Sequence, residues 1–90
     1  MWVYLNGEIL DSAEAKISPL DRGFTFGEGV YEVITSYDKN FFLFCEHLDR
    51  LKSSLEKTFI PYPKELSNLE NILSDLHDKN GFSNQSFYIQ

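Results

Sequence analysis

The chain has 90 residues, and fourteen acidic against eight basic side chains give it a formal net charge of -6. This length allows one small domain, and a hydrophobic content of 42% with 16% aromatics is enough for a core, which excludes a disordered chain. The scattered basic residues and the negative charge make nucleic acid and anionic membranes poor partners. A single cysteine, Cys45, excludes an intramolecular disulfide, so a cytoplasmic location is expected, and no Cys/His cluster predicts a metal site.

Two β-hairpins are predicted in the first half of the chain. Asn6-Gly7 lies between short apolar runs and favours a tight type I′ turn, which predicts a hairpin over residues 2–10. An irregular connection containing Pro19 follows. The run "GVYEVITSY", the polar turn "DKN" and then "FFLF" predict the second hairpin, because β-branched and aromatic residues favour strands.

Two helices and a closing strand are predicted in the second half. Leucines at helical spacing predict a helix over residues 45–57, and Pro61 and Pro63 interrupt the helical pattern after it. A second helix is predicted over residues 64–79, with Asn80-Gly81 as a left-handed stop. Its apolar stripe consists of Leu66, Leu69, Leu73 and Leu76. The last residues, "SFYIQ", are typical of a strand.

This order of elements predicts an α+β domain spanning residues 1–90, with a mainly antiparallel sheet covered by two helices. The final strand has no turn or cap after it, so an open sheet edge is expected there. Such an edge supports one functional hypothesis, a non-catalytic module that pairs through its edge strand. It equally raises the expectation that more chain follows in the natural protein.

The stretch "DRGFTFGEGVYE", residues 21–32, carries glycines that superficially suggest a phosphate-binding loop. No Lys-Ser/Thr pair follows them, and a strand is predicted after Gly29 where a phosphate loop needs a helix N-terminus. The favoured interpretation is therefore conformational: glycine supplies unusual dihedrals or allows close backbone approach before the strand.

His47 and Arg50 are spaced to share one side of the first long helix, at the border of its leucine stripe. A guanidinium in this position is able to bind a phosphate in bidentate fashion. The alternative, which general experience with helices favours, is a surface pair between Arg50 and Glu46. His47 alone is more typical of an ordinary half-buried helix residue.

Tyr31 belongs to a strand in which Tyr31 and Val33 face one way while Glu32 and Ile34 face the other. The Tyr31 ring either belongs to the core or offers its hydroxyl to a carboxylate at a pocket mouth. Burial statistics alone favour the core.

Three stretches, "YLNGEIL", "AKISPLDRGFTFGEGVYEVI" and "EHLDRLKSSLEK", together resemble the opening of the fold-type IV pyridoxal-phosphate-dependent aminotransferases. The resemblance runs over essentially the whole chain, with two motifs in register. It implies the N-terminal part of the small domain of such an enzyme, about its first third. The Schiff-base lysine of the family lies in a larger C-terminal domain, so no catalytic residue is expected within these 90 residues.

The resemblance also implies roles for single residues. Arg50 would bind the phosphate of the cofactor, pyridoxal 5'-phosphate. Tyr31 would help to hold the substrate carboxylate, with Val33 beside it, and His47 would support the site.

The sequence is most similar to the D-amino acid aminotransferase branch, which implies transfer of an amino group from a D-amino acid to a 2-oxo acid, and a homodimer. The alternatives within the family are an aminodeoxychorismate lyase and a branched-chain aminotransferase.

Overall fold

The first hairpin of the protein forms as predicted in the computed structural model, which describes residues 1–90. Strands β1 (Trp2–Leu5) and β2 (Glu8–Asp11) pair antiparallel as a separate two-stranded sheet. Asn6 and Gly7 connect them with φ values of 49° and 96°, the left-handed conformation that a type I′ turn requires.

A second sheet has three antiparallel strands in the order β4-β3-β5. The central strand β3 (Glu32–Tyr37) pairs on one side with β4 (Asn40–Phe41) and on the other with β5 (Asn84–Ile89). The predicted second hairpin and closing strand are thereby confirmed, although β4 has only two residues. It is short because the chain turns through a left-handed residue, Leu43, and enters a helix.

The first long helix, α2 (Phe44–Lys57), begins one residue earlier than predicted and ends where predicted. The second predicted helix is wrong in its first turn, since residues Lys64–Asn68 form a 3-10 helix and only α3 (Leu69–Asn80) is α-helical. Within the 3-10 turn the Ser67 hydroxyl donates to the Lys64 carbonyl at 3.0 Å, a local bond that competes with helix geometry. Gly81, at φ 77°, ends α3 in the predicted left-handed conformation.

One hydrophobic core lies between the three-stranded sheet and the helices. The sheet contributes Ile34 and Phe87, and the helical segments contribute Leu51, Leu55, Leu66, Leu69 and Leu73. The helices cover only one face of the sheet, and the opposite face leaves Val33, Tyr37 and Tyr88 exposed. The predicted α+β class, with an antiparallel sheet under two long helices, is confirmed. None of the helices combines the length and the apolar character needed to cross a lipid bilayer.

The first hairpin is attached to the end of α3 through the side chains of Asn80 and Lys79. The Asn80 carboxamide accepts the Trp2 N–H at 2.9 Å and donates to the Trp2 carbonyl at 3.0 Å. The Lys79 ammonium lies 4.0 Å from the centre of the Trp2 ring, a cation-π distance. These contacts link β1 to the C-terminal end of α3.

A one-turn helix, α1 (Arg22–Thr25), begins where the predicted irregular connection ends and lies in the glycine-rich stretch before β3. The Asp21 carboxylate caps it by accepting the Gly23 N–H at 2.8 Å. A single turn is too short to produce a hydrophobic period, which explains why the pattern along the chain does not reveal it.

Candidate functional site

The start of β3 and the first half of α2 meet at a cluster of charged side chains, which we call the Glu32 cluster: Glu32, His47 and Arg50. Glu32 is the first residue of β3, and its side chain points to the face that the helices cover, where only 4% of it is exposed. A carboxylate in this position needs charged or hydrogen-bonding partners, because burial without them is costly.

Arg50 supplies two of these partner groups. Its Nε donates to Glu32 Oε1 at 2.6 Å and its Nη2 donates to Glu32 Oε2 at 2.7 Å, which is a bidentate contact. The interpretation of Arg50 as the surface partner of Glu46 is therefore wrong: the guanidinium reaches across to the strand. The Arg50 side chain stays 67% exposed, so solvent and ligands have access to its remaining donors.

His47 lies one helical turn before Arg50 and binds the same carboxylate. Its Nδ1 is 2.8 Å from Glu32 Oε2, and because an ionised carboxylate only accepts hydrogen bonds, Nδ1 carries the proton. Arg50 Nη2 lies 3.4 Å from this Nδ1, but two donors cannot bond to each other, so we read this distance as proximity alone. Glu32 thus holds both α2 side chains at once.

The contacts of Glu32 stabilise its charged form. The hydrogen bonds from Arg50, and less so the one from His47, lower the pKa of the Glu32 carboxyl to about 2, although its burial acts in the opposite direction. The same contact raises the pKa of the Arg50 guanidinium above its ordinary value. The pair therefore remains ionised throughout the neutral range.

A second group of side chains lies on the uncovered face of the sheet, and we call it the aromatic face: Tyr31, Val33 and Tyr88. The core prediction for Tyr31 is wrong, since 64% of the residue is exposed. Its ring stacks on Tyr88, with centroids 5.5 Å apart and planes 25° apart, and Val33 lies directly opposite Tyr88 in the strand register. No helix covers this face, so the Tyr31 hydroxyl is open to a ligand.

The structure thus joins the predicted site residues in two pairs, His47 with Arg50 and Tyr31 with Val33. Tyr31 and Glu32 are consecutive, and successive residues of an extended chain point to opposite sides, so the two pairs lie on opposite faces of one strand. No hydrogen bond connects them. They come nearest to each other at the N-terminal end of β3.

The glycine-rich stretch before β3 forms a turn that packs against the end of β5. Gly27 has a φ of 65°, and a Cβ on Gly29 would lie only 3.1 Å from the side-chain nitrogen of Gln90. Arg22 and Glu28 close the turn with an ion pair at 2.5 Å. Positive φ and close approach are the conformational roles expected of these glycines.

Two site residues, Glu32 and Tyr88, have no role in the sequence predictions. A signal for Glu32 was present, because strand alternation places its carboxylate on the same covered face of β3 as Ile34, and a buried charge requires a partner such as Arg50. Tyr88 has no comparable signal, since its position opposite Val33 depends on a long-range strand register.

Arg50 is the residue of this chain that fits an anionic cofactor group. A guanidinium has five N–H donors, and no hydrogen bond of Arg50 uses Nη1, so its terminal edge is available to a phosphate. None of the lysines makes an ion pair with the Glu32 cluster; Lys39, for example, pairs with Asp78. The arrangement is able to bind and orient a phosphate, and it lacks a covalent attachment point.

Known proteins resemble this chain over most of its length. The family model described as amino-transferase class IV matches residues 29–90. D-alanine aminotransferase from Staphylococcus haemolyticus is 36% identical over 88 residues, which cover 98% of this chain and 31% of that protein. D-alanine aminotransferase from Listeria monocytogenes is 38% identical over an alignment of 92 positions, which covers all of this chain and 31% of that protein.

Branched-chain enzymes are also similar. A putative branched-chain-amino-acid aminotransferase from Methanocaldococcus jannaschii is 43% identical over 63 residues, covering 70% of this chain and 22% of that protein. The solved structure of a branched-chain aminotransferase from Thermoproteus uzoniensis, with norvaline, has a TM-score of 0.82 and 28% identity over 98% of this chain and 31% of its own. The chain spans 31% of the length of the D-alanine aminotransferases. By this match of sequence and fold, the chain belongs to the class IV aminotransferase family.

Proposed function

We propose that this chain is the N-terminal part of the small domain of a pyridoxal-phosphate-dependent enzyme that transfers an amino group from a D-amino acid to a 2-oxo acid. The proposal draws on the D-alanine aminotransferases that are 36% and 38% identical to essentially the whole chain. The remaining two thirds of such an enzyme would supply the reactive lysine. The resemblance also implies a cytoplasmic homodimer, which stays a prediction for that longer protein.

The observation that carries the proposal is the guanidinium of Arg50, fixed by Glu32 and open at its terminal edge. In the proposed enzyme this edge would bind the cofactor phosphate, because a planar guanidinium matches two phosphate oxygens. Pyridoxal phosphate, when bound, supplies the electron sink that amino-group transfer requires. Arg50 would hold it in place, and His47 would support Arg50 through Glu32.

The aromatic face supports a substrate role beside this anchor. Tyr31 would offer its hydroxyl as a donor to the substrate carboxylate, while Val33 and the Tyr88 ring would present apolar surface to the substrate side chain. Because Tyr31 and Glu32 are neighbours in the chain, one short segment would connect the substrate wall to the phosphate anchor.

Transfer from a branched-chain amino acid is the second candidate. It is favoured by the fold similarity to the Thermoproteus uzoniensis enzyme and by the 43% identity to the Methanocaldococcus jannaschii relative. Those matches have either a lower identity or a smaller coverage of this chain than the D-alanine aminotransferases have. We therefore place the D-amino acid first.

The test uses the longer protein that we propose contains this chain, obtained by reading its gene beyond codon 90. The purified protein, supplied with pyridoxal phosphate and 2-oxoglutarate, is assayed in parallel with D-alanine and with L-leucine. We expect D-alanine to be the faster amino donor. Faster transfer from L-leucine would support the second candidate, and a reading frame that ends at codon 90 or no transfer from either donor would contradict both.

A further inference from the structure

The bidentate contact between Glu32 and Arg50 uses one particular edge of the guanidinium. Nε and one hydrogen of Nη2 form the side edge, and both point to the carboxylate oxygens of Glu32 at 2.6 and 2.7 Å. Because the guanidinium is planar and rigid, fixing this edge fixes the direction of the others. The two donors of Nη1 and the second hydrogen of Nη2 remain, and they point away from Glu32.

Glu32 is itself held rigidly enough to act as an anchor. Its side chain is 4% exposed, it begins the central strand of the sheet, and His47 Nδ1 donates to it at 2.8 Å. Arg50, by contrast, has a long side chain that is 67% exposed, and such a side chain samples many rotamers unless a partner restrains it. The restraint on Arg50 therefore comes from the strand and not from its own helix.

We propose that Glu32 is a positioning residue, which directs the terminal edge of Arg50 toward the phosphate group of a phosphate monoester. The identity of that ligand as pyridoxal phosphate rests on the proposed function. The orientation of Arg50 by Glu32 does not depend on that identity.

A positioning role for Glu32 and simple electrostatics predict opposite changes in phosphate binding when the charge of Glu32 is removed. Glu32 is a negative charge beside the arginine that would bind an anion, so removing the charge alone should strengthen phosphate binding. If Glu32 acts by orienting Arg50, removing its charge should weaken phosphate binding, because the guanidinium then loses its fixed direction. Glu32→Gln keeps the length of the side chain and removes the charge, so it separates the two effects.

The experiment compares wild type, Glu32→Gln, Glu32→Asp and Glu46→Gln in the longer protein. Dissociation constants are measured for pyridoxal phosphate, for pyridoxal without the phosphate, and for inorganic phosphate. We expect Glu32→Gln and Glu32→Asp to weaken the binding of pyridoxal phosphate and of inorganic phosphate on the order of tenfold. Gln loses a charged contact with Arg50, and Asp is too short to make both contacts. Pyridoxal should change little.

Glu46→Gln is the matched control, because it removes an equal negative charge from the first turn of α2, one helical turn before Arg50, without a contact to Arg50 in the structure. It should leave all three constants unchanged. Tighter phosphate binding by Glu32→Gln would overturn the proposal. So would an equal loss of affinity for pyridoxal and for pyridoxal phosphate. An equal effect of Glu46→Gln would overturn it as well.

A measurement on the wild-type protein keeps the proposal testable if a Glu32 variant does not fold. In a proton-nitrogen correlation spectrum, the Arg50 Nε–H should be protected from solvent exchange, and it should remain so when inorganic phosphate is added. Loss of that protection on phosphate binding would show that phosphate displaces Glu32, which contradicts the proposal. Because this measurement involves no amino transfer, its failure is distinguishable from a failure of the proposed function.

Discussion

Tyr31 and Tyr88 stack on the uncovered face of the sheet, with ring centroids 5.5 Å apart, although 57 positions separate them in the chain. The stacking orients the Tyr31 ring, while 64% of the residue stays exposed and no hydrogen bond within the chain uses its hydroxyl. A phenol held in this way is a directed donor for a ligand carboxylate.

Tyr31→Phe in the longer protein keeps the stacked ring and removes only this donor. We expect the KM for the amino acid to rise about tenfold, because a hydrogen bond to a charged group is lost, while the affinity for pyridoxal phosphate stays the same. Steady-state kinetics and a cofactor titration measure the two quantities. Tyr37→Phe, an exposed tyrosine farther along the same strand, is the control and should change neither. An unchanged KM in Tyr31→Phe would remove its role in substrate binding.

The low pKa of Glu32 predicts an acid-dependent stability. A carboxyl whose folded pKa is about 2 and whose unfolded pKa is about 4.3 contributes stability that is fully present above pH 5 and is lost as the pH falls toward 2. Discounted for the solvent exposure of Arg50, this contribution is about 2 kcal/mol.

Urea unfolding of the 90-residue chain between pH 2 and 6, followed by circular dichroism, measures this effect. The free energy of unfolding of wild type should fall more steeply with decreasing pH than that of Glu32→Gln. Glu46→Gln should follow wild type, because Glu46 is exposed and lies outside the cluster. Parallel curves for wild type and Glu32→Gln would mean that the ion pair contributes nothing to folding.

Substitution of Leu73 tests the assignment of the core between α3 and the sheet. It is 3% exposed, and Leu73→Ala should lower the free energy of unfolding by about 2 to 5 kcal/mol because it leaves a cavity. Chemical denaturation of the 90-residue chain gives this value. Leu20→Ala removes the same atoms from a residue that is 82% exposed and should have almost no effect. Equal losses in the two variants would contradict the assigned core.

The 90-residue chain alone should not catalyse amino transfer. The ion-pair partners of Glu32 are His47 and Arg50, and no lysine of the chain is among them. The resemblance places the reactive lysine elsewhere in the family's enzymes. We expect the chain, mixed with pyridoxal phosphate, D-alanine and 2-oxoglutarate, to form glutamate no faster than the same mixture without protein. Measurable turnover above that background, abolished by boiling, would show that these residues contain a complete site.

Much of the fold was predictable from local patterns. Asn6-Gly7 specified the first turn, leucine spacing specified both long helices, and Gly81 specified the end of the second. The 3-10 turn before α3 was not predictable, because its leucine pattern matches an α-helix and the local bond from the Ser67 hydroxyl to the Lys64 carbonyl does not change that pattern. The single turn of α1 was too short to give a period.

The site was predictable only in part. Helical spacing correctly placed His47 and Arg50 together, and strand alternation correctly separated Tyr31 from Glu32. Tertiary packing decides which face of β3 the helices cover, and strand alternation alone does not reveal it. The prediction of Tyr31 in the core was wrong for this reason. The partner of Arg50 was likewise a residue 18 positions away, beyond any pattern within one helix.

The most direct test of the account is the affinity of the longer protein for pyridoxal phosphate after Arg50→Ala. Loss of the charged contact to phosphate should weaken binding by about 2 kcal/mol, or roughly thirtyfold. Arg22→Ala, which removes the chain's other arginine from its exposed pair with Glu28, is the control and should bind as wild type does. A thirtyfold loss confined to Arg50→Ala is the predicted result, and an affinity equal to that of wild type would contradict the assignment of Arg50 as the phosphate anchor.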